Sequence, residues 1–288
     1  MVRHKQYTTL NPEEVRKKLK DFFLEDNIDN DITTLNTQSP NQNVQAVFLA
    51  KEDLYFSGKE IIIQSFPDCQ IIRIENDGEY IAKGQAIAVL QGPIQTLLSK
   101  ERVVLNLLQR LSGITSKTKA MTQITKPYNI QLLDTRKTTP GLRFFEKFAV
   151  YIGGGTNHRY SLKDAIMIKD NHLAGLNNNH DILKIVDKLN KTYNDIDIEL
   201  EVDTREQLDT ALESNVTSIL LDNFRPKQIQ EIISYIRSHP KGTSKYIELS
   251  GGIIEETLES YCIAGVNGIS MGCLTHNITS KDISLDLK

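Results

Sequence analysis

The chain has 288 residues, enough for one large or two modest domains with real cores, and its 39% hydrophobic and 25% charged residues are the balance of an ordinary globular protein. A formal net charge of −3 gives no overall signal for nucleic acid or an acidic membrane surface. Cys69, Cys262 and Cys273 are odd in number and lack CxxC spacing, so they read as reduced thiols rather than a disulfide framework or a zinc site; no apolar run nears the ~20 residues of a membrane-spanning helix. The polar stretch from Met1 to Leu10 has no signal-peptide core, and the expected location is cytoplasmic.

Asn11 is placed to cap a first helix, with Pro12 in its first turn, Glu13 and Glu14 complementing the dipole, and Val15, Leu19, Phe22 and Phe23 on one apolar face. Short strands are then expected at 44–50, 61–63, 71–75 and 87–90, with turns near Asn76-Asp77-Gly78 and Lys83-Gly84. Pro93 opens a long helix to about Leu111, which Ser112-Gly113 should end. This half reads as an α+β domain.

The rhythm changes in the second half. Apolar strands expected at 130–133, 165–168, 196–202, 218–221, 246–249 and 268–271 alternate with amphipathic helices. Ile182, Ile185, Val186 and Leu189 mark one helix; Ile229, Ile232, Ile233 and Ile236 mark another. Asn177 to Asn179 read as a loop tip. Repeated strand–helix alternation means a parallel sheet, open or closed. Polar residues follow nearly every strand, which favours a barrel that gathers its strand ends around one mouth over a doubly wound sheet with a single switch point.

The densest chemistry runs from Asp134 to Leu142. Arg136 offers a bidentate fork and Lys137 a point charge for a carboxylate or phosphate, beside the Thr135 hydroxyl. An isolated Arg-Lys pair reads equally as a solvated turn, and Gly153-Gly154-Gly155 as a flexible one. His158-Arg159 directly afterwards add a titratable donor and a second fork. Lys169 ends a barrel strand. Glu199 and Glu201 alternate onto one strand face and Asp222 ends the next strand. Such acids face either the interior or solvent, and one can simply pair with a core cation, whereas beside a phosphorylated ligand the set suits ribose hydroxyls or Mg²⁺. Ser250-Gly251-Gly252 and Met271-Gly272 follow two consecutive strands, where barrel backbone amides commonly hold phosphate. Together these residues ask for a phosphorylated sugar with a second, acidic partner.

Several longer motifs carry a resemblance. Asp134-Thr-Arg-Lys-Thr-Thr-Pro-Gly-Leu-Arg143, Gly153-Gly-Gly-Thr-Asn-His-Arg159 and Ile168-Lys-Asp-Asn-His172 are similar to those of the quinolinate phosphoribosyltransferase family. So are Asp31-Ile-Thr-Thr34, Glu101-Arg-Val-Val-Leu-Asn106, Leu221-Asp-Asn-Phe224 and Leu274-Thr-His276, in the same order along nearly the whole chain. The resemblance implies an α/β protein: an N-terminal α/β sandwich, residues 1–113 joined by 274–288, and an incomplete, open TIM-like α/β barrel, residues 114–273. It implies conversion of quinolinate and phosphoribosyl pyrophosphate to nicotinate mononucleotide, pyrophosphate and CO₂, with Mg²⁺, in a homodimer or larger homo-oligomer.

By the same resemblance Arg102 reaches into the neighbouring subunit's site. Thr135, Arg136, Lys137, His158, Arg159 and Lys169 grip the substrate carboxylates and phosphates. Glu201 and Asp222 hold ribose hydroxyls and Mg²⁺, while Ser250, Gly251, Gly252, Met271, Gly272, Cys273 and His276 line the phosphate end. Lys137, Lys169, Glu201 and Asp222 form the implied catalytic group. Three alternatives stay open: a related group associated with molybdenum transport that shares the arginine and glycine motifs, a phosphoribosyltransferase that uses nicotinate, and a catalytically silent phosphosugar-binding barrel.

Overall fold

The structure is a computed structural model that describes residues 4–173 and 179–288. Helix α1 (Pro12–Glu25) begins where its sequence signals place it: the Asn11 carboxamide oxygen accepts from the Glu13 and Glu14 amides at 2.9 and 3.1 Å, and Val15 and Leu19 are buried. After α2 (Ile32–Thr37) come β1 (Asn43–Ala50), β2 (Leu54–Tyr55), α3 (Lys59–Ser65), β3 (Gln70–Ile74), β4 (Tyr80–Ile81), β5 (Ala86–Pro93) and α4 (Ile94–Thr125).

Two expectations fail here, each for a tertiary reason. The isoleucine run at 61–63 is helical in α3, although β-branched residues favour strands. Asp77, from the expected turn at Asn76-Asp77-Gly78, accepts from the Gly58 and Lys59 amides at 2.5 and 3.1 Å and so caps α3 from outside, while Ile61 and Ile62 are fully buried. Likewise Ser112-Gly113 does not end the long helix, which continues to Thr125. Gly113 is a close-approach glycine: a Cβ there would meet the Thr279 carbonyl oxygen at 2.3 Å. Ser112 accepts from the Ser57 amide at 3.2 Å.

The chain continues through β6 (Gln131–Leu133), α5 (Arg143–Ile152), β7 (Ile166–Ile168), α6 (Asp170–Leu173), α7 (Asn179–Thr192), β8 (Ile198–Val202), α8 (Arg205–Glu213), β9 (Ser218–Asp222), α9 (Pro226–Ser238), β10 (Tyr246–Ser250), α10 (Glu255–Leu258), β11 (Gly268–Ser270), α11 (Cys273–His276) and β12 (Ile283–Leu287). Of the asparagine run read as a loop tip, Asn177 and Asn178 lie outside the described residues, and Asn179 begins α7.

Two compact units result. One comprises residues 7–119, 139–154 and 277–288 and holds an antiparallel sheet in the order β12-β1-β5-β3, with the last strand returning to pair with β1. Its core is apolar. Phe48, Ile87, Ala88 and Leu90 of the sheet are fully buried, as are Leu97, Val104 and Leu108 along one stripe of α4. The other unit comprises residues 1–6, 120–138 and 155–276. Its six parallel strands run in the order β6-β11-β10-β9-β8-β7, and the two end strands do not pair with each other, which makes an open barrel. All six strands lie at their expected positions, because strands covered on both faces read as near-continuous apolar runs. Among the described residues no helix is long and apolar enough to cross a membrane. All three cysteines are free thiols.

Candidate active site

Strand register decides which side chains share the barrel's inner face. Glu199 and Glu201 of β8 pair with Ser218 and Leu220 of β9, and Leu220 and Asp222 pair with Glu248 and Ser250 of β10. The two-residue pleat therefore sets Glu199, Glu201, Asp222, Glu248 and Ser250 on one face. The cations arrive from the loops at the carboxyl ends.

Beside β6, Thr156 forms a parallel bridge with Leu133: its amide donates to the Leu132 carbonyl at 2.7 Å, and its carbonyl accepts from the Asp134 amide at 3.1 Å. This bridge delivers Asn157, His158 and Arg159 to the barrel. The fully buried Asp134 carboxylate accepts from the Asn157 side chain at 2.8 Å and from the His158 amide at 2.7 Å. The Arg159 guanidinium donates to the carbonyl of Ala165, just before β7, at 2.9 Å. One side chain thus links the segment beside β6 to the opposite end strand of the open sheet.

His158 is 4% exposed, and its Nε2 lies 3.3 Å from a Glu199 carboxylate oxygen and 3.5 Å from one of Glu248. Burial disfavours the charged ring, but Glu248 and then Glu199 more than offset it, raising the pKa to about 9. The Arg159 amide donates to Nδ1 at 2.8 Å and works against that rise, because it favours a ring with a lone pair there. Both influences leave Nε2 protonated and facing the two acids. His158, Glu199 and Glu248 are also the only trio of His, Cys, Asp or Glu among the described residues whose ligand atoms lie within 4.8 Å of one another. A proton on Nε2 is the wrong state for a metal ligand, so the trio reads as a proton-sharing cluster.

Two like charges meet at the mouth. Burial lowers the pKa of the Arg159 guanidinium, and the charge of Arg136 lowers it further, against the opposing pull of Glu199 and Asp164. Arg136 stands in a tight turn in which the Thr135 hydroxyl accepts from the Lys137 amide at 3.0 Å and the Arg136 carbonyl accepts from the Thr138 amide at 2.9 Å. A buried guanidinium beside a partly exposed one is an anion site by electrostatics.

Across the same face lies an acidic pole. Lys169, at the end of β7, pairs with Glu201, which is mostly buried. Burial raises the Glu201 pKa, the Lys169 ammonium opposes this, and Asp222 and Asp203 add to the rise. Asp203 is itself raised by burial and then by Asp222 and Asp170. These are hard oxygen donors of the kind Mg²⁺ accepts. They do not form a closed trio among the described residues, so an ion there would draw further oxygens from a ligand.

A third group forms where β11 meets β6. The Met271 amide donates to the Leu133 carbonyl at 3.0 Å, and the Thr275 hydroxyl donates to the Lys137 carbonyl at 2.7 Å. A Cβ at Gly272 would lie 2.8 Å from the Lys137 side chain and 3.0 Å from the His276 ring, so this glycine lets both reach over the strand end. Cys273 opens α11 directly after it, and Met271 is buried beneath. After β10, Gly251 has φ +92° and backs onto Asn223, whereas Gly252 has φ +62° and faces open space. Ser250 closes β10, where its carbonyl accepts from the Asn223 amide at 3.0 Å.

The charged and phosphate-end residues singled out in the barrel, from Thr135 to Lys137 and from His158 to His276, therefore lie in one unit, whereas Gly153 and Gly154 of the glycine run and residues 139–142 group with the other. Arg102 is exposed on α4 in the other unit, 3.8 Å from Glu101. Sequence reading gave no role to Glu248 or Asp134, and none to His4 or Gln6. The signal for Glu248 was one acid inside the apolar run Tyr246-Ile-Glu-Leu, which a fully buried strand tolerates only with a partner.

The chain matches known proteins over almost its whole length. The family model for the quinolinate phosphoribosyl transferase C-terminal domain covers residues 114–286, and that for the N-terminal domain covers 31–112. The probable nicotinate-nucleotide pyrophosphorylase [carboxylating] of Bacillus subtilis is 41% identical over 283 residues, spanning 96% of this chain and 95% of that protein. Among solved structures, nicotinate-nucleotide pyrophosphorylase from Francisella tularensis superposes with a TM-score of 0.90 at 29% identity and 99% coverage of both chains. The Ehrlichia chaffeensis structure gives 0.86 at 31% identity, covering 94% of this chain and 97% of that one.

Proposed function

The chain belongs to the quinolinate phosphoribosyl transferase family, and we propose that it is a carboxylating nicotinate-nucleotide pyrophosphorylase. It joins quinolinate to phosphoribosyl pyrophosphate and releases nicotinate mononucleotide, pyrophosphate and CO₂, a step of NAD biosynthesis. The observation that carries this reading is the meeting of Arg136 and Arg159 at the mouth of a barrel whose opposite pole is acidic. A dianion with adjacent carboxylates offsets the first, and a ribose with its hydroxyls suits the second.

Arg136, Arg159 and Lys137 hold the quinolinate carboxylates, with the Thr135 hydroxyl beside them and the His158–Arg159 segment fixed from below by Asp134. Lys169 stays paired with Glu201, so that Glu201 and Asp222 present carboxylates to the ribose hydroxyls. Glu201 and Asp222 would also hold Mg²⁺ together with substrate oxygens; when bound, the ion supplies charge for the departing pyrophosphate. Lys137, Gly272, His276 and the amides of Ser250 to Gly252 receive the phosphates, with Met271 and Cys273 framing the turn. The pyridine nitrogen attacks C1 of the ribose as the bond from C1 to pyrophosphate breaks. The resulting pyridinium takes up the electron pair of the C2–carboxylate bond when CO₂ departs, and a proton from solvent then replaces it at C2. No covalent enzyme intermediate is needed, so the residues act by position and charge. We further propose a cytoplasmic homodimer or higher homo-oligomer in which Arg102 serves the partner's site.

The test is product formation by purified protein with Mg²⁺, phosphoribosyl pyrophosphate and either quinolinate or nicotinate. Nicotinate mononucleotide and CO₂ from quinolinate support the reading. Product from nicotinate alone moves the activity to a noncarboxylating enzyme, and no product from either substrate removes it.

A further inference from the structure

We propose that Gln6 and His4, from the segment preceding α1, are positioning residues for His158 in the active site. The inference rests on the reading of His158 and Arg159 as the quinolinate-binding segment.

The geometry follows from backbone alternation. Thr156 spends its amide and carbonyl on β6, so those of Asn157, one residue on, point to the opposite side. There the Gln6 side chain meets them: its carboxamide oxygen accepts from the Asn157 amide at 2.7 Å, and its nitrogen donates to the Asn157 carbonyl at 3.0 Å. One carboxamide thus does the pairing that a neighbouring strand would do. The same nitrogen donates to the His4 carbonyl at 2.8 Å, which ties the segment's own backbone into the arrangement. The His4 ring then lies on that of His158, with centroids 4.5 Å apart and planes inclined by 34°. His4 and Gln6 group by contact with the barrel, although Tyr7 groups with the other unit.

Asn157 and His158 sit in a fully or nearly fully buried position, where hydrogen bonds to backbone groups carry their largest weight. Around His158 the groups are Glu199 from β8, Glu248 from β10, Arg159 on the same segment, Asp134 after β6 and His4. Gln6 fixes the depth of the segment and His4 the tilt of the ring. Together they set where the Arg159 guanidinium meets a substrate carboxylate, while Nε2 stays on Glu199 and Glu248.

The full chain carrying Gln6→Ala, Gln6→Glu, His4→Ala or His4→Phe is the test. Gln6→Ala is expected to lower kcat/KM for quinolinate roughly tenfold, mostly through KM, and to leave the KM for phosphoribosyl pyrophosphate and the thermal midpoint near wild type. Gln6→Glu keeps an acceptor for the Asn157 amide and loses the donor, so it should fall between. His4→Phe retains a ring against His158 and should recover most of what His4→Ala loses. A Gln6→Ala value within twofold of wild type overturns the proposal, as does a parallel loss of both substrates and of stability.

A second readout separates this inference from the assignment of activity. In the NMR spectrum of the full chain, His158 is identified among six histidines with His158→Gln. Gln6→Ala should shift its ring resonances even if the wild type forms no product, and unshifted resonances overturn the proposal.

Discussion

The two larger sheets of this chain solve burial in opposite ways. The antiparallel sheet of β12, β1, β5 and β3 turns Phe48, Ala88 and Leu90 into an apolar core, where packing alone sets the energy. The barrel mixes acids with apolar residues such as Leu220 on the inner face of its strands. Inside it buries Glu199, Glu201 and Glu248, and His158 and Lys169 reach in to meet them. One sheet uses its interior for stability. The other fills part of its interior with paired charges beside the mouth.

Substitutions can break that contrast, and the largest effect should come from the barrel's cation pair. Arg159→Ala removes two or more charge-assisted contacts, each worth about 1.5–3 kcal/mol, and should lower kcat/KM for quinolinate on the order of 100-fold or more in steady-state assays. Phe48→Ala should do the converse. It costs about 3–5 kcal/mol of unfolding free energy in a denaturant titration and leaves kcat/KM of the folded protein near wild type. If Phe48→Ala lowered activity at constant stability, the division of labour between the two sheets would be wrong.

The pH dependence sharpens the same contrast. With its pKa raised from 6.5 to about 9, His158 contributes stability that is fully present below pH 6.5 and lost as pH climbs through about 9. Replacing one acid by its neutral isostere, Glu248→Gln, lowers that pKa, so the loss should still begin near pH 6.5 but be complete at lower pH and smaller in total, in thermal midpoints measured from pH 6 to 9.5. An unchanged profile would show that Glu248 does not hold the ring.

The smallest effects separate two adjacent glycines. Gly251→Ala forces a Cβ to within 2.3 Å of the Asn223 side-chain oxygen at φ +92° and should cost about 1–3 kcal/mol with loss of activity. Gly252→Ala meets no atom within 4 Å and should cost only the left-handed backbone term of about 1–2 kcal/mol. Its kcat/KM for phosphoribosyl pyrophosphate should still fall if this turn receives phosphate.

What was legible in the sequence follows from the same physics. The six barrel strands stood out because both of their faces are covered, and the charged residues at their ends stood out because so many strands carried them. The isoleucines at 61–63 misled because local β preference yielded to an external cap from Asp77. Gly113 misled because close packing against Thr279, not a turn, requires it. Gln6 was silent for a third reason: it acts on a residue 151 positions away, and nothing local marks a carboxamide that will pair with a distant peptide. Glu248 was visible as a polar residue in an apolar strand, but only the register on β9 and β10 shows that it shares the inner face with Glu199 and Glu201.

The most direct test of the central claim, that Arg136 and Arg159 form a dicarboxylate site, is the ratio of kcat/KM for quinolinate to that for nicotinate in the wild type, with CO₂ release followed in the same reaction. The account predicts a preference on the order of 100-fold or more for quinolinate, with one CO₂ released per nicotinate mononucleotide formed. Equal use of nicotinate, or nucleotide formed without CO₂, would contradict it.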